Sequence, residues 1–334
     1  MRAVVTGAGG FVGGAVARQL LTRGDEVVAL SRGHYPALEA LGAESAQVDL
    51  TAPEGLDAAI AGADVVFHVA AKTGVWGSRE SFWSINVDGT QRLLDAARRA
   101  GVGRFVFTSS PSATFDGLDA DGLTEADCPY PDQFESFYPE SKAEAERRVL
   151  DANDEHFATT ALRPHLVWGP GDPHLLPRLI SRRKQGRLAI VGDGTNRVDL
   201  TYVDNAAAAH LQACDALATN SANAGKAYFV TDGSPVVLWE WLNGFLEAVG
   251  LEPVSRRVSL GTARRVGSVL EQGWRWFGLG GEPPMTRFVA AQLATAHWYD
   301  LTAAREDFGY APVVSPEQAY GLAVAYFRDR VDGL

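Results

Sequence analysis

The chain has 334 residues, 46% of them hydrophobic, and carries 41 Asp and Glu against 30 Lys and Arg, a formal charge of −11. That length supports one large core with an appendage rather than two equal domains, and an acidic balance with scattered basic residues excludes a nucleic-acid partner, whose phosphates call for a basic face. Cys128 and Cys214 lie far apart, outside any CxxC or His/Asp spacing, so neither a disulfide nor a metal site is expected.

In chain order, short β-branched runs at 3–5, 26–30, 47–50, 65–70 and 105–108 read as buried strands. Between them Val12, Val16 and Leu20, then Leu93, Leu94 and Ala97, recur at helical spacing and would cover the faces of a sheet. Gly24 suits a left-handed cap after the first helix. Strand and helix alternating in this way predict an α/β fold, a Rossmann-type doubly wound parallel sheet. Met1-Arg2 runs directly into the first strand without a signal peptide, and no apolar run is long enough to span a bilayer, so a cytoplasmic protein is expected. After "LRPHLVWGPGDPH" the rhythm breaks: Arg182, Arg183 and Lys184 form a charged face and tryptophans gather at Trp239, Trp241, Trp274, Trp276 and Trp298. Residues 1–168 are therefore expected to bind a dinucleotide, with parts of 198–232 returning to that domain, and 169–334 to form a smaller substrate-binding region.

Gly7, Gly10 and Gly13 in "TGAGGFVG" stand between the first strand and the first helix, with Phe11 and Val12 in the turn. Such glycines serve a tight turn, close approach of a pyrophosphate, and helix-on-strand packing, and the phosphates meet free N–H groups at the positive helix end. The second strand ends in Ser31-Arg32, where a carboxylate would hold the ribose hydroxyls of NAD. Arg pairs with a 2′-phosphate that a carboxylate repels, so NADP is favoured and NAD less expected. Asp49-Leu50, after the third strand, are placed to meet the adenine, or to start a helix.

Tyr138 and Lys142, four apart at the start of a helical stretch, face the same way. A neighbouring ammonium favours the phenolate, which makes a proton-transfer pair near neutrality. The strand-end hydroxyl of Ser110 lies upstream, where strand C-termini meet a cofactor.

Here the chain resembles the extended short-chain dehydrogenase/reductase family. "TGAGGFVG", Asp49-Leu50, "HVAA", "INVDGT", "FTSS", "YPESK" and "LRPHLVWGPGD" occur in that family's order. The resemblance implies that Ser110 polarises the substrate oxygen, Tyr138 is the acid/base, Lys142 binds the nicotinamide ribose, and Asn86 supports the network. It implies that Ala70, Ala71 and Lys72, with Pro164 and Leu166, line the cofactor. The "TSSPSATFD" context leaves open which of Ser109, Ser110 and Ser112 faces the substrate. Within the family the chain is similar to the 3β-hydroxysteroid dehydrogenase-like branch, through "AAKTGVWGS", "GPGDPHLLPRL" and "VGDGTNRVDLTYVDNAAAAH".

In the second half, Trp274, Trp276, Phe277, Leu279, Phe288, Val289, Leu293 and Trp298 suggest apolar walls with Arg287 among them, a pocket for a lipid tail ending in a carboxylate. Arg197 competes for the carboxylate, and Lys72, Ser112 and His174 are further substrate candidates. The resemblance, taken with these residues, implies NADP-dependent, reversible reduction of the 3-oxo group of a hydrophobic acyl substrate of the 2-alkyl-3-oxoacid type. A sterol dehydrogenase, a sugar-nucleotide epimerase and a non-catalytic NADP sensor are the alternatives. A homodimer and assembly with pathway enzymes are both compatible with this reading.

Overall fold

The computed structural model describes residues 1–52 and 54–334. Its central sheet is parallel and seven-stranded: β1 (Arg2–Thr6), β2 (Glu26–Ser31), β3 (Glu44–Gln47), β4 (Val65–His68), β5 (Arg104–Thr108), β6 (Ala158–Pro164) and β7 (Lys226–Val230). They stand in the order β7-β6-β5-β4-β1-β2-β3. The helices that shape the site are α1 (Phe11–Arg23), α2 (Asp88–Arg99), α3 (Phe137–Asp151), α4 (Leu175–Lys184), α5 (Val203–Ala216), α6 (Leu260–Phe277) and α7 (Arg287–Gln292).

Strands β1, β2, β4 and β5 are apolar on both faces through their middles, as a sheet covered by helices on both sides requires, whereas β3 at the edge is polar and partly exposed. In β1, Ala3 and Val5 belong to the core that holds Val16 and Leu20 of α1, whereas Val4 belongs to the core that holds Leu93 and Leu94 of α2. On the first face α5 lies beside α1, tied by Gln19 Nε2 donating to the Asp204 carbonyl (2.8 Å) and by the Arg23–Asp215 pair (2.8 Å). The order reverses between β1 and β4, and the crevice outside the carboxyl ends of strands at such a switch point is where a ligand sits.

Two strands differ from their expected span by more than one residue at an end. The third ends at Gln47 instead of running over 47–50: Val48 N still reaches the Ser31 carbonyl (3.1 Å), but Asp49 Oδ1 then accepts from Thr51 N and Oγ1 and turns the chain away. The fourth ends at His68 because Thr6 Oγ1 accepts from Val69 N (3.1 Å) and Ala70 N (3.0 Å) in place of a neighbouring strand.

A smaller sheet joins Val236–Val237, Arg197–Val198, His297–Tyr299 and Ala120–Leu123 in that order. It brings a segment of the first half against the C-terminal region and carries Tyr299 to the cavity described below. Among the described residues no helix is long and apolar enough to cross a membrane.

Candidate active site

The dinucleotide cradle is built from backbone. After β1 the chain turns at Gly7 with φ of +66°, where a Cβ would lie 2.9 Å from Ala70 Cα. At Gly13 a Cβ would overlap the Gly7 carbonyl, so α1 packs on the turn only because that residue has no side chain. The helix starts at Gly10 with no side-chain cap and no acidic residue in its first turn. Its positive end and first N–H groups are thus left uncompensated by the protein, in a cradle that side chains would fill, and these features fit a pyrophosphate. Phe11 and Val12 are half-buried in that first turn, and Ala71 and Lys72 follow Ala70 beyond β4. The ring of Tyr35 lies against Gly9 and Gly33, a covering that residue order did not signal.

At the end of β2, Ser31 Oγ donates to the Gly33 carbonyl (2.8 Å), and Arg32 is exposed with no ion pair among the described residues. Asp49 is exposed, and hydrogen bonds from the Thr51 N–H and hydroxyl hold its carboxyl below the ordinary value, with a smaller pull from Arg32. Leu50 beside it is buried.

Tyr138 lines a cavity of about 160 Å³ whose other polar side chains include Ser110, Ser112, His165 and Gln292. Of the three clustered serines, Ser110 and Ser112 line it, while Ser109 is buried outside its lining. Ser110 Oγ accepts from Ser112 N (3.2 Å) and from Ser112 Oγ (2.9 Å). Its lone pairs are occupied, and its own proton is available to an oxygen in the cavity. Phe115 and Phe288 meet edge to face at 5.8 Å and form part of the apolar wall. Pro164 and Leu166 complete the lining between the cavity and the end of β6. Burial pushes the Tyr138 phenol above its ordinary value, with the Ser110 hydroxyl working against that shift.

Lys142, one turn further along α3, is 2% exposed; its Nζ donates to the Thr108 carbonyl (2.6 Å) and lies 4.1 Å from the centroid of Phe107. Burial pulls the ammonium down to about 7, against the opposing charge of Glu146. Between that value and the ordinary 10.5 the unfolded chain binds more protons than the folded one, so stability rises with pH across this window. Without cofactor, Lys142→Met should therefore be more stable than wild type by roughly a few kcal/mol, an advantage that is full below neutrality and shrinks toward alkaline pH. Thermal unfolding in a pH series measures it, and a constant offset would show that Lys142 does not titrate in this window.

A buried network braces this pair. Asn86, in the π-helical turn Trp83–Val87, accepts from Lys72 N (2.7 Å) and donates to the Lys72 carbonyl (3.0 Å) and to Ser141 Oγ (2.9 Å). It thereby ties the chain after β4 to α3. His68 is bound by Thr6 and Thr90 (both 2.8 Å) and lowered to about 3, first by burial and then by Lys142, so it is a neutral spacer. Glu146 receives Arg163 Nε (3.0 Å), Arg163 Nη2 (2.6 Å) and the Tyr130 hydroxyl (2.6 Å).

The expected substrate cations lie elsewhere. Arg287 gives its backbone N (2.7 Å) and Nε (3.0 Å) to Glu271 of α6, and it is the next residue, Phe288, that turns into the cavity. Arg197 is exposed and stacked over Trp298 at 5.1 Å. His174 is exposed at the start of α4. Lys72 directs Nζ over Phe82 at 5.1 Å and does not line the cavity. The aromatic wall is corrected as well: of the residues proposed for it Phe288 alone lines the cavity, and Trp276 and Phe277 are 79% and 76% exposed. Sequence reasoning missed His165, Gln292, Phe115 and Tyr299. A single histidine in a loop carries no spacing signal, and its partner His297 is 132 residues away.

A phosphate cradle at the switch point of a parallel sheet, with a Ser, Tyr and Lys gathered at the neighbouring strand ends, defines an NAD(P)-dependent dehydrogenase or reductase acting on CH–OH groups, of the extended short-chain kind. Residues 4–260 match the 3-beta hydroxysteroid dehydrogenase/isomerase family, and the chain belongs to that family. It is 49% identical over 319 residues to a 2-alkyl-3-oxoalkanoate reductase of Stenotrophomonas maltophilia (strain K279a), covering 95% of this chain and 97% of the relative. It is 32% identical over 337 residues to the mouse (Mus musculus) sterol-4-alpha-carboxylate 3-dehydrogenase, decarboxylating, covering 98% and 91%. Among solved structures, MoeE5 in complex with UDP-glucose and NAD superimposes with a TM-score of 0.75 at 26% identity, covering 99% of this chain and 100% of that one.

Proposed function

We propose that the protein is an NADP-dependent reductase of the 3-oxo group of a hydrophobic acid, interconverting 2-alkyl-3-oxoalkanoate and 2-alkyl-3-hydroxyalkanoate. The cavity carries this reading: Ser110 and Tyr138 meet in a space with aromatic walls whose lining, among the described residues, includes no Lys, Arg, Asp or Glu. A sugar nucleotide would ask for a basic clamp on its two phosphates. The substrate named for the Stenotrophomonas relative supports the acyl class.

Ser110 donates to the substrate carbonyl oxygen, and Tyr138 delivers the proton to that oxygen. Its raised phenol stays protonated at neutrality, which suits the direction of reduction. Lys142, held by the Thr108 carbonyl, would steady the phenolate that remains and would hold the ribose of a bound nicotinamide dinucleotide. Gly7, Gly10, Phe11, Val12 and Gly13 would cradle the pyrophosphate of a bound dinucleotide, and Ala70, Ala71, Pro164 and Leu166 would line its site. The bound nicotinamide supplies or accepts the hydride. On this reading β7 belongs with the dinucleotide-binding domain and most of 169–334 serves the substrate.

A panel of 2-alkyl-3-oxoacids, 3-oxosteroids and UDP-sugars, each with NADPH and NADH, tests the assignment. Turnover of the steroids alone would favour the sterol reading that the mouse relative supports. Among the described residues Arg32 has no ion pair or hydrogen bond to give up for a 2′-phosphate, and losing a charge-assisted contact costs about 1.5–3 kcal/mol. Arg32→Ala should accordingly weaken NADPH by about tenfold or more and leave NADH nearly unchanged. A wild type that prefers NADH would overturn the cofactor assignment.

A further inference from the structure

The cavity beside Tyr138 has no Lys or Arg in its described lining, and Arg287 and Arg197 are engaged elsewhere. A carboxylate entering it needs another partner. His165 follows β6 and lines the cavity. Its Nε2 lies 2.6 Å from His297 Nδ1, and His297 Nε2 lies 2.8 Å from the Gln292 carbonyl oxygen. A carbonyl only accepts, so His297 carries its proton on Nε2 and presents a lone pair at Nδ1. His165 must then donate from Nε2, which leaves its Nδ1 unprotonated. That nitrogen has no hydrogen bond among the described residues.

The two rings stand edge to face, 4.7 Å apart and 90° to each other, and Tyr299 packs edge-on against His165 at 5.7 Å. Among the described residues, the other titratable groups that line the cavity with His165 are Tyr138 and Tyr299; His297 contacts its ring, and Asp199 accepts from Tyr299 N (2.8 Å). Burial takes His165 well below its ordinary value, and His297 adds to the shift, so the ring is neutral before a ligand arrives.

We propose that His165 is the receptor for the substrate carboxyl group, and that the acid binds there together with one proton, shared between a carboxyl oxygen and His165 Nδ1. This rests on the reading of the substrate as a 3-oxoacid. The carboxylate and the proton both come from solution, and no bond to carbon forms or breaks. Net charge inside the apolar cavity stays at zero, which avoids the large penalty for burying a lone carboxylate. The His297–Gln292 chain fixes the ring, so the same contact sets the distance of the 3-oxo group from Ser110 and Tyr138.

Calorimetry in two buffers of different ionisation enthalpy tests this on protein saturated with oxidised dinucleotide. The probes are a 2-alkylalkanoic acid lacking the 3-oxo group and the dialkyl ketone of the same chain lengths, neither of which reacts. Wild type should take up about one proton per acid bound and none with the ketone, and the acid Kd should rise about tenfold per pH unit above neutrality. His165→Gln should lose about tenfold or more on the acid, with little proton uptake, and hold the ketone within about twofold. The unchanged ketone shows that the fold is intact. Acid binding without proton uptake in wild type, or equal losses of acid and ketone in the variant, overturns the proposal. If wild type binds the ketone and not the acid, the carboxyl receptor is wrong and the reductase reading stands; if it binds neither, both fall.

Discussion

Replacing Tyr138 by Phe should lower turnover by about 10²–10⁴-fold, the range that positioned acid–base groups supply, while NADPH affinity moves by no more than about threefold. The substitution keeps the ring that packs near Phe82 at 6.3 Å and removes only the hydroxyl. Ser110 remains to polarise the carbonyl, but its proton is not one it can readily give up, and the buried Lys142 donates to the Thr108 carbonyl. Among the described residues that line the cavity, Tyr138 is the one that stands a single helical turn from Lys142. Single-turnover reduction and a fluorescence titration of NADPH on the same variant separate the two effects. A variant that reduces substrate near the wild-type rate would show that the proton comes from elsewhere, with His165 the next group to examine.

Glu146→Ala should destabilise the fold by about 3–5 kcal/mol, because it leaves the Arg163 guanidinium buried without its counter-charge. The pair is almost fully enclosed, with side chains 0% and 6% exposed, and Arg163 Nη1 already lacks a hydrogen-bond partner among the described residues. Burial works to raise the Glu146 carboxyl, but Arg163, Ser109 and Tyr130 outweigh it and hold the value below the ordinary 4.5. A depressed carboxylate contributes stability that is present above its unfolded value and is lost as pH falls through the folded one. The wild-type advantage over Glu146→Gln should therefore be full at neutrality and fade in acid. Replacing both partners by Met should recover most of the loss, since two apolar side chains leave no charge unpaired. Urea unfolding of the single and double variants decides it; a double variant as unstable as the single would mean that packing, not charge, governs this spot.

What could be read from residue order alone is what local chemistry dictates. The alternation of β-branched runs with helical spacing, the glycine turn between β1 and α1, and the one-turn separation of Tyr138 and Lys142 all depend on neighbours within a few residues. Strand period, helix period and the absence of a Cβ act before any distant contact forms. Even the ends of β3 and β4 escaped that reading, because a turn at Asp49 and a hydroxyl on Thr6 compete with the ladder for backbone groups.

The tertiary structure decided the directions of side chains. Arg287 sits among apolar residues in the sequence, yet Glu271, on the helix packed against α7, captures it and leaves Phe288 to face the cavity. Trp276 and Phe277 have the composition of a pocket wall and lie on the surface, since a helix face is buried only where another element covers it. His165 acquires its role only beside His297, and Glu146 on α3 only beside Arg163 on β6. A hydrogen bond or an ion pair between distant residues has no period to betray it, so the partner of a buried polar group appears only once the chain has folded around it.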